Sequence, residues 1–257
     1  MTGRELRAIF DGDADLYDRT RPGYPGELYD DLATWAPARD VLEIGCGTGQ
    51  ATTALAARGY RITALDIGPA MAARARENLL DHPDAEVIIA DFDVWTPQER
   101  YDLVVSATAF HWLDPATRGE RIAGVLRPGG ALAVISTHHV EGGSTEFFHE
   151  VQECYERWMP GTPSGLRLPP EGDITDDLAD LGDRFAPVAT GRYARTIPYS
   201  TRGYLDVLNT YSGHRALPPG LHAGLFGDIA ALIDGRYGGQ VRKRYLNILT
   251  VVRSMYE

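Results

Sequence analysis

The sequence predicts an α/β fold: a doubly wound, largely parallel sheet covered by helices, with helical cap insertions. Three observations predict it. Between Asp40 and Thr137 short apolar runs alternate with helical patterns, the rhythm of βαβ units and hence of a parallel sheet buried on both faces. A glycine-rich turn, Gly45-Cys46-Gly47-Thr48-Gly49, lies where the first apolar run passes into a helical one. After Thr137 the rhythm changes to longer helical stretches separated by Gly, Pro and acidic residues, which predicts additions to the sheet and not further repeats of it.

Taken in order, Val41 to Ile44 reads as a strand that stops at the glycine turn, and 50–58 as a helix with Gly59 as its C-terminal cap. Arg61 to Asp66 is a second strand. Gly68-Pro69 opens a helix, with proline at a favoured first position. Glu86 to Ala90 and Tyr101 to Ser106 are the third and fourth strands. Asp114-Pro115 predicts a cap and first turn of a helix running to Leu126, stopped by Pro128-Gly129-Gly130. Ala131 to Ser136 is a fifth strand. Beyond it, helices are expected over 147–158, over 175–181, and over 203–234 with a break at Leu217-Pro218-Pro219-Gly220. Strands are expected over 190–199 and from Tyr245 to Val252. The whole of 1–257 reads as one domain: an N-terminal lid (1–30), a core (36–140), cap elements (141–185 and 203–234) and a final strand (240–254).

Composition narrows the function. The 257 residues are 44% apolar and 24% charged, the profile of an ordinary globular chain. No apolar stretch approaches the roughly 18 residues of a membrane helix, and the first residues lack the apolar core of a secretory signal. With only Cys46 and Cys154 there is no disulfide framework, which fits a reducing cytoplasm. A formal charge of −11 disfavours nucleic acid as partner. The one basic run, Arg242-Lys243-Arg244, reads as a solvated strand start.

The glycine turn carries the chemistry. Glycines let a ligand approach the main chain closely, and a helix N-terminus beyond them favours an anionic group. The spacing is G-x-G-x-G and not the dinucleotide G-x-G-x-x-G, because position 50 is Gln. Glu43, just before the turn, would repel a pyrophosphate and attract an ammonium, so a ligand with an amino-acid head fits better. Asp66 ends the second strand, where an acid accepts hydrogen bonds from ribose hydroxyls. Asp91-Phe92 follows the third, offering an acceptor and a ring to a base. Three adjacent strand ends thus define one nucleoside-shaped crevice.

These residues resemble the class I S-adenosylmethionine-dependent methyltransferases. VLEIGCGTG, LDIG, ADF, YDLVVSATAFHW and LRPGGALAVIS match that family's successive motifs. Phe10, Tyr17-Asp18 and Arg21-Pro22-Gly23-Tyr24-Pro25 resemble the N-terminal signature of small-molecule members similar to trans-aconitate methyltransferases. The resemblance implies a Rossmann-like sheet, mostly parallel with the last strand antiparallel. It implies S-adenosyl-L-methionine as methyl donor, S-adenosyl-L-homocysteine as product, and a small-molecule acceptor. Gly45, Gly47 and Gly49 would line the methionine part, with Glu43 on its ammonium side. Asp66 would hold the ribose, Ile67 and Asp91 with Phe92 would flank the adenine, and Ser106 would complete the cofactor set. Arg21 or Tyr17 would reach the methionine carboxylate.

For the acceptor, His111-Trp112 follows the fourth strand beside the expected methyl. His111 acts as general base toward a hydroxyl or amine, or only shapes the pocket; a carboxylate acceptor needs no base. Tyr211, His214 and Arg215 form a second acceptor-facing cluster, in which Arg215 would grip an anionic group or simply end a solvated helix. Tyr193, Tyr199 and Tyr204 line a cavity or pack a strand; Trp158 and Met159 read as core. His138 and His139 point to opposite faces of a strand, so no metal site is expected. Rival readings are a non-catalytic S-adenosylmethionine-binding protein and, against the glycine spacing, a nicotinamide oxidoreductase. Methylation of RNA or protein fits the acidic balance poorly. Partners beyond a small molecule, whether nucleic acid or membrane, are not expected, and the chain is expected as a monomer or homodimer.

Overall fold

The computed structural model describes residues 13–175 and 178–255. Phe10, part of the N-terminal signature, lies outside them, as do residues 176–177 of the helix expected near 175–181. Among the described residues one seven-stranded sheet runs in the order β3-β2-β1-β4-β5-β7-β6, with β1 Asp40–Ile44, β2 Arg61–Asp66, β3 Ala85–Ile89, β4 Tyr101–Ala107, β5 Leu126–Gly143, β6 Phe185–Ser200 and β7 Gln240–Ser254. Strands β1 to β5 pair parallel. Strand β7 runs antiparallel between β5 and β6. The chain winds outward from β1 to β3, then crosses back to β4, so the topological switch lies between β1 and β4, where doubly wound sheets bind ligands beyond the strands' carboxyl ends.

Burial follows from position in the sheet. All five residues of central β1 are buried, whereas edge strand β6 alternates exposed and part-buried along much of its length. One face is covered by α2 (Gly26–Trp35), α3 (Gln50–Ala56) and α4 (Pro69–Asn78), which bury Leu28, Leu32, Leu55 and Ala75 against Val41, Ile62 and Leu103. The other face carries α5 (Arg118–Val125) and buries Ile122 and Val125 against Leu42, Val104 and Leu132. A third cluster joins the cap to the ends of β6 and β7: α6 (Thr145–Trp158), α7 (Thr201–Leu208) and α9 (Pro219–Arg236) bury Phe147, Tyr204, Leu225 and Ile229 with Val241, and α8 (Ser212–Arg215) follows α7.

Three departures from the sequence reading have a clear local cause. Helix α5 begins only at Arg118, because Asp114 is spent on a turn: its carboxylate accepts from the Ala116 N–H at 3.0 Å and its carbonyl from Thr117 and Arg118. Pro128-Gly129-Gly130 does not separate helix from strand. Strand β5 starts at Leu126, runs through these residues with a register shift opposite Tyr101 and Leu103, and carries Gly129 at φ 71°. In place of a helix near 175–181 there is a 3-10 stretch over Ala179–Arg184, interrupted by Gly182 at φ 60°. No helix among the described residues is long and apolar enough to cross a membrane.

Candidate active site

Two adjoining cavities open at the carboxyl edge of the sheet. The first, of about 410 Å³, is walled by the ends of β1, β2, β3 and β4. The second, of about 660 Å³, lies between the sheet edge and the cap helices. Both fall in the size range of ordinary small-molecule sites. They share a wall that includes Arg21, Tyr24, Thr108, Thr137 and Tyr211.

The glycine turn builds the floor of the first cavity, and its three glycines do different things. Gly45, at φ 73°, has no room for a side chain: a Cβ would come within 2.5 Å of the Ala109 Cβ. Gly47, at φ 57°, would send a Cβ into open space, with nothing within 4 Å. Gly49 caps α3 in the left-handed region and packs on Ala75, where a Cβ would approach to 3.3 Å; it does not line the cavity, a correction to its expected place. The turn is tied to β2 by Asp66, whose carboxylate accepts from the Gly47 N–H at 2.7 Å and the Gly68 N–H at 2.8 Å.

Glu43 is 1% exposed on β1 and faces this cavity. Its Oε2 has no hydrogen-bond partner. Burial pushes its carboxyl up to about 7, assisted by the Asp66 charge and opposed by the neighbouring Thr52 hydroxyl. Ile67, Asp91 and Phe92 line the cavity at the β2 and β3 ends. Phe92 is otherwise core, with its carbonyl held by Arg121. His111 and Trp112 line it beyond β4, their rings 4.8 Å apart; His111 is exposed at the rim.

Over this floor lies α1 (Ala14–Thr20). Asp18 fastens it to α4 through Asn78 at 2.9 Å and Arg74 at 3.0 Å, and Asn78 also holds the Thr48 carbonyl. That anchoring brings Tyr17 and Arg21 to the cavity wall. Arg21 donates through Nε to Thr210 Oγ1 at 2.7 Å, and its guanidinium lies 4.2 Å from the Tyr211 ring centroid.

Other expected residues lie elsewhere. Ser106 is wholly buried and donates to the Ile44 carbonyl at 3.2 Å; it braces β4 against β1 and does not reach the cavity. His214 lines only the second cavity, 3.1 Å from the Tyr155 hydroxyl, and burial together with the Lys243 charge lowers it to about 4. Arg215 lines neither cavity. Tyr204 and Met159 line the second, whereas Tyr193 instead donates to Asp31 at 2.6 Å. No group of His, Cys, Asp or Glu among the described residues could hold a metal ion.

Two features escaped the sequence reading. Lys243 is not solvated: it is 3% exposed, lines the second cavity and donates to the Tyr211 hydroxyl at 2.8 Å. The alternation of β7 carries the signal, since Val241, Lys243 and Tyr245 fall on one face while Arg242 points out. A register shift opposite Gly143 accompanies this placement, the kind of irregularity that re-aims a side chain. The second is Thr108, at φ 55° the one non-glycine residue with positive φ among those described. Its hydroxyl bonds Tyr24 at 2.9 Å and Thr137 at 3.2 Å, and Asn247 donates to Thr137 at 2.8 Å. Strain of this kind clusters at functional sites, and residue identities alone did not reveal it.

The sheet order, the switch-point cavity and its glycine, acidic and aromatic wall are those of a Rossmann-like fold with a ligand crevice at the strands' carboxyl ends. Residues 41–130 match the family described as a methyltransferase domain. The chain resembles trans-aconitate methyltransferases: it is 33% identical over 178 residues to trans-aconitate 2-methyltransferase of Paracidovorax citrulli, covering 67% of this chain and 64% of that one. It is 37% identical over 133 residues to the uncharacterized methyltransferase Mb3374 of Mycobacterium bovis, 51% of this chain and 53% of that one. The chain thus spans about half the length of the first curated relatives it matches. Among solved structures, a candidate type II methyltransferase from Anaeromyxobacter dehalogenans shares the fold, with a TM-score of 0.61, 24% identity and coverage of 91% of this chain and 97% of that one.

Proposed function

We propose that this chain transfers the methyl group of S-adenosylmethionine to a small-molecule acceptor. The observation that carries the reading is one cavity walled by four neighbouring strand ends, with Glu43 and Gly47 at one end and Asp91 and Phe92 at the other. Several features fit the donor. The unpartnered, buried Glu43 Oε2 suits an ammonium group, and the open space beyond the Gly47 Cα suits a ligand chain lying on the backbone. Asp66, whose carboxylate accepts from the Gly47 and Gly68 N–H groups, stands in the cavity wall at the β2 end, where an acid meets ribose hydroxyls. Arg21 and Tyr17 stand over the same floor for the methionine carboxylate.

When bound, S-adenosylmethionine supplies a methyl group already activated on a positively charged sulfur. The chain's own residues position and exclude water. Holding donor and acceptor in line contributes about 7–11 kcal/mol in well-aligned systems. In this reading 36–140 holds the donor, the described part of the N-terminal segment, 13–30, covers it, and the described cap residues of 141–185 and 203–234 wall the acceptor in the second cavity. Residues 240–254 complete the sheet and contribute Lys243 to that cavity. His111 and Trp112 frame the rim near the methyl. The trans-aconitate relatives support a small-molecule acceptor.

Calorimetry with S-adenosylhomocysteine tests the proposal. One-to-one binding is expected for the wild type. Asp66→Ala is expected to bind about 10–100-fold more weakly, the worth of charge-assisted hydrogen bonds. NADH is expected to give no heat. Absence of both heat and thermal protection with donor and product alike would end the reading.

A further inference from the structure

Resting on the reading of the first cavity as the donor's, we propose that Tyr211 accepts the proton released in methyl transfer, held in place by Lys243, and that the acceptor is a hydroxyl compound with an apolar body. Tyr211 lines both cavities, so its side chain stands at the boundary between donor and acceptor. Lys243 Nζ lies 2.8 Å from its hydroxyl on one side, and the Arg21 guanidinium 4.2 Å from its ring centroid on the other. Among the described residues no carboxylate lines the second cavity, whose walls include Phe148, Met159, Leu168 and Tyr204. A buried cation without a counter-ion is costly. A Tyr211 phenolate is the anion the chain itself can supply there.

The groups facing Tyr211 from the surrounding elements agree. Burial raises the Tyr211 phenol, but Lys243 and Arg21 outweigh it and bring it below its ordinary value. Tyr17 on α1, Tyr155 on α6, Tyr199 on β6, Tyr204 on α7 and Tyr245 on β7 are all pushed up, chiefly by burial. The two histidines of the second cavity are poor bases: burial and the Lys243 charge hold His139 at about 2 and His214 at about 4. His111 is exposed at the rim. Among these tyrosines Tyr211 alone is shifted toward its phenolate form, and the histidines, though neutral, bind a proton only weakly.

In the step, the acceptor O–H bond breaks and its proton passes to the Tyr211 phenolate. The oxygen's electron pair forms the bond to the methyl carbon, and the carbon–sulfur pair returns to sulfur. One phenolate and one sulfonium become a neutral phenol and a neutral thioether. Lys243 touches Tyr211 and is a positioning residue.

Ultraviolet titration of tyrosinate in the full chain tests the charge state without any acceptor. One phenol is expected to ionise ahead of the rest in the wild type, to be missing in Tyr211→Phe, to join the bulk in Lys243→Met, and to return in Lys243→Arg. A wild-type trace without an early phenol, or an early phenol that survives Tyr211→Phe, overturns the proposal; the first outcome requires no variant to fold. With S-adenosylmethionine and a panel of phenols and alcohols against carboxylic acids of similar size, hydroxyl methylation is expected. Its kcat should fall about 10²–10⁴-fold in Tyr211→Phe with KM little changed, the usual worth of a general base. Preferred methylation of carboxylic acids, or hydroxyl methylation undiminished in Tyr211→Phe, also overturns it. Calorimetry with S-adenosylhomocysteine on the same proteins keeps the readings apart, because failed donor binding leaves the titration result standing.

Discussion

At the scale of single residues, Glu43 sets a pH dependence with a definite sign. Its carboxyl rises from 4.5 to about 7 through burial. A raised folded value contributes stability that is complete below the unfolded value and is lost as pH climbs through the folded one, here between 4.5 and about 7. The full span corresponds to about 3 kcal/mol. Without ligand, Glu43→Gln is therefore expected to flatten the decline of unfolding free energy over that window, as denaturant titrations will measure. With S-adenosylhomocysteine the dependence reverses, because an ammonium favours ionised Glu43: affinity should tighten toward pH 7 in the wild type and lose that trend in the variant. The place of Glu43 on the cavity wall was legible because its distance from the glycines is a sequence property. Those of Ser106 and Gly49 were not. Ser106 turns on which neighbour a hydroxyl meets, Ile44 or a ligand, and Gly49 on a Cβ that would crowd Ala75. Neither is encoded in residue type.

At the scale of elements, helices α6 and α9 pack through a close approach. A Cβ on Gly224 would come within 2.5 Å of the Trp158 ring, whose Nε1 donates to Asp228 at 2.7 Å. Gly224→Ala is expected to displace Trp158, loosen that bond and cost about 1–3 kcal/mol, the usual range for overpacking. Thermal unfolding will read the loss, and calorimetry should find donor-product binding nearly intact, since neither residue touches the first cavity. The central elements were readable because buried parallel strands are short apolar runs punctuated by glycine and proline; β2 matches its expected limits. Strand β5 was read too short because Pro128-Gly129-Gly130 signals a break in isolation, whereas pairing to β4 carries the strand through it. Lys243 was misread for a related reason: a basic triplet suggests solvent until the two-residue alternation of β7 turns its middle member inward.

At the scale of the whole molecule, the sheet, its covering helices and the cap clusters meet around the two cavities, so ligand binding should be felt globally. S-adenosylhomocysteine at 100 times its dissociation constant adds about 2.7 kcal/mol to stability. For a chain of this size that should raise Tm by roughly 5–10 °C, and the rise should shrink in Asp66→Ala at equal concentration. Differential scanning calorimetry will check both. The chain's order and winding were legible from the rhythm of apolar runs, but the second cavity was not, because its wall is assembled from α1, β5, β7 and the cap, segments far apart in sequence. Arg21 is where these segments are knotted together: its carbonyl receives the Gln50 amide at 2.8 Å while its guanidinium grips Thr210. An occupant that draws the guanidinium toward one chamber necessarily alters what the other chamber feels. Under the proposed function, donor and acceptor are thereby thermodynamically married: whatever factor the first imposes on the second's affinity, the second returns in equal measure.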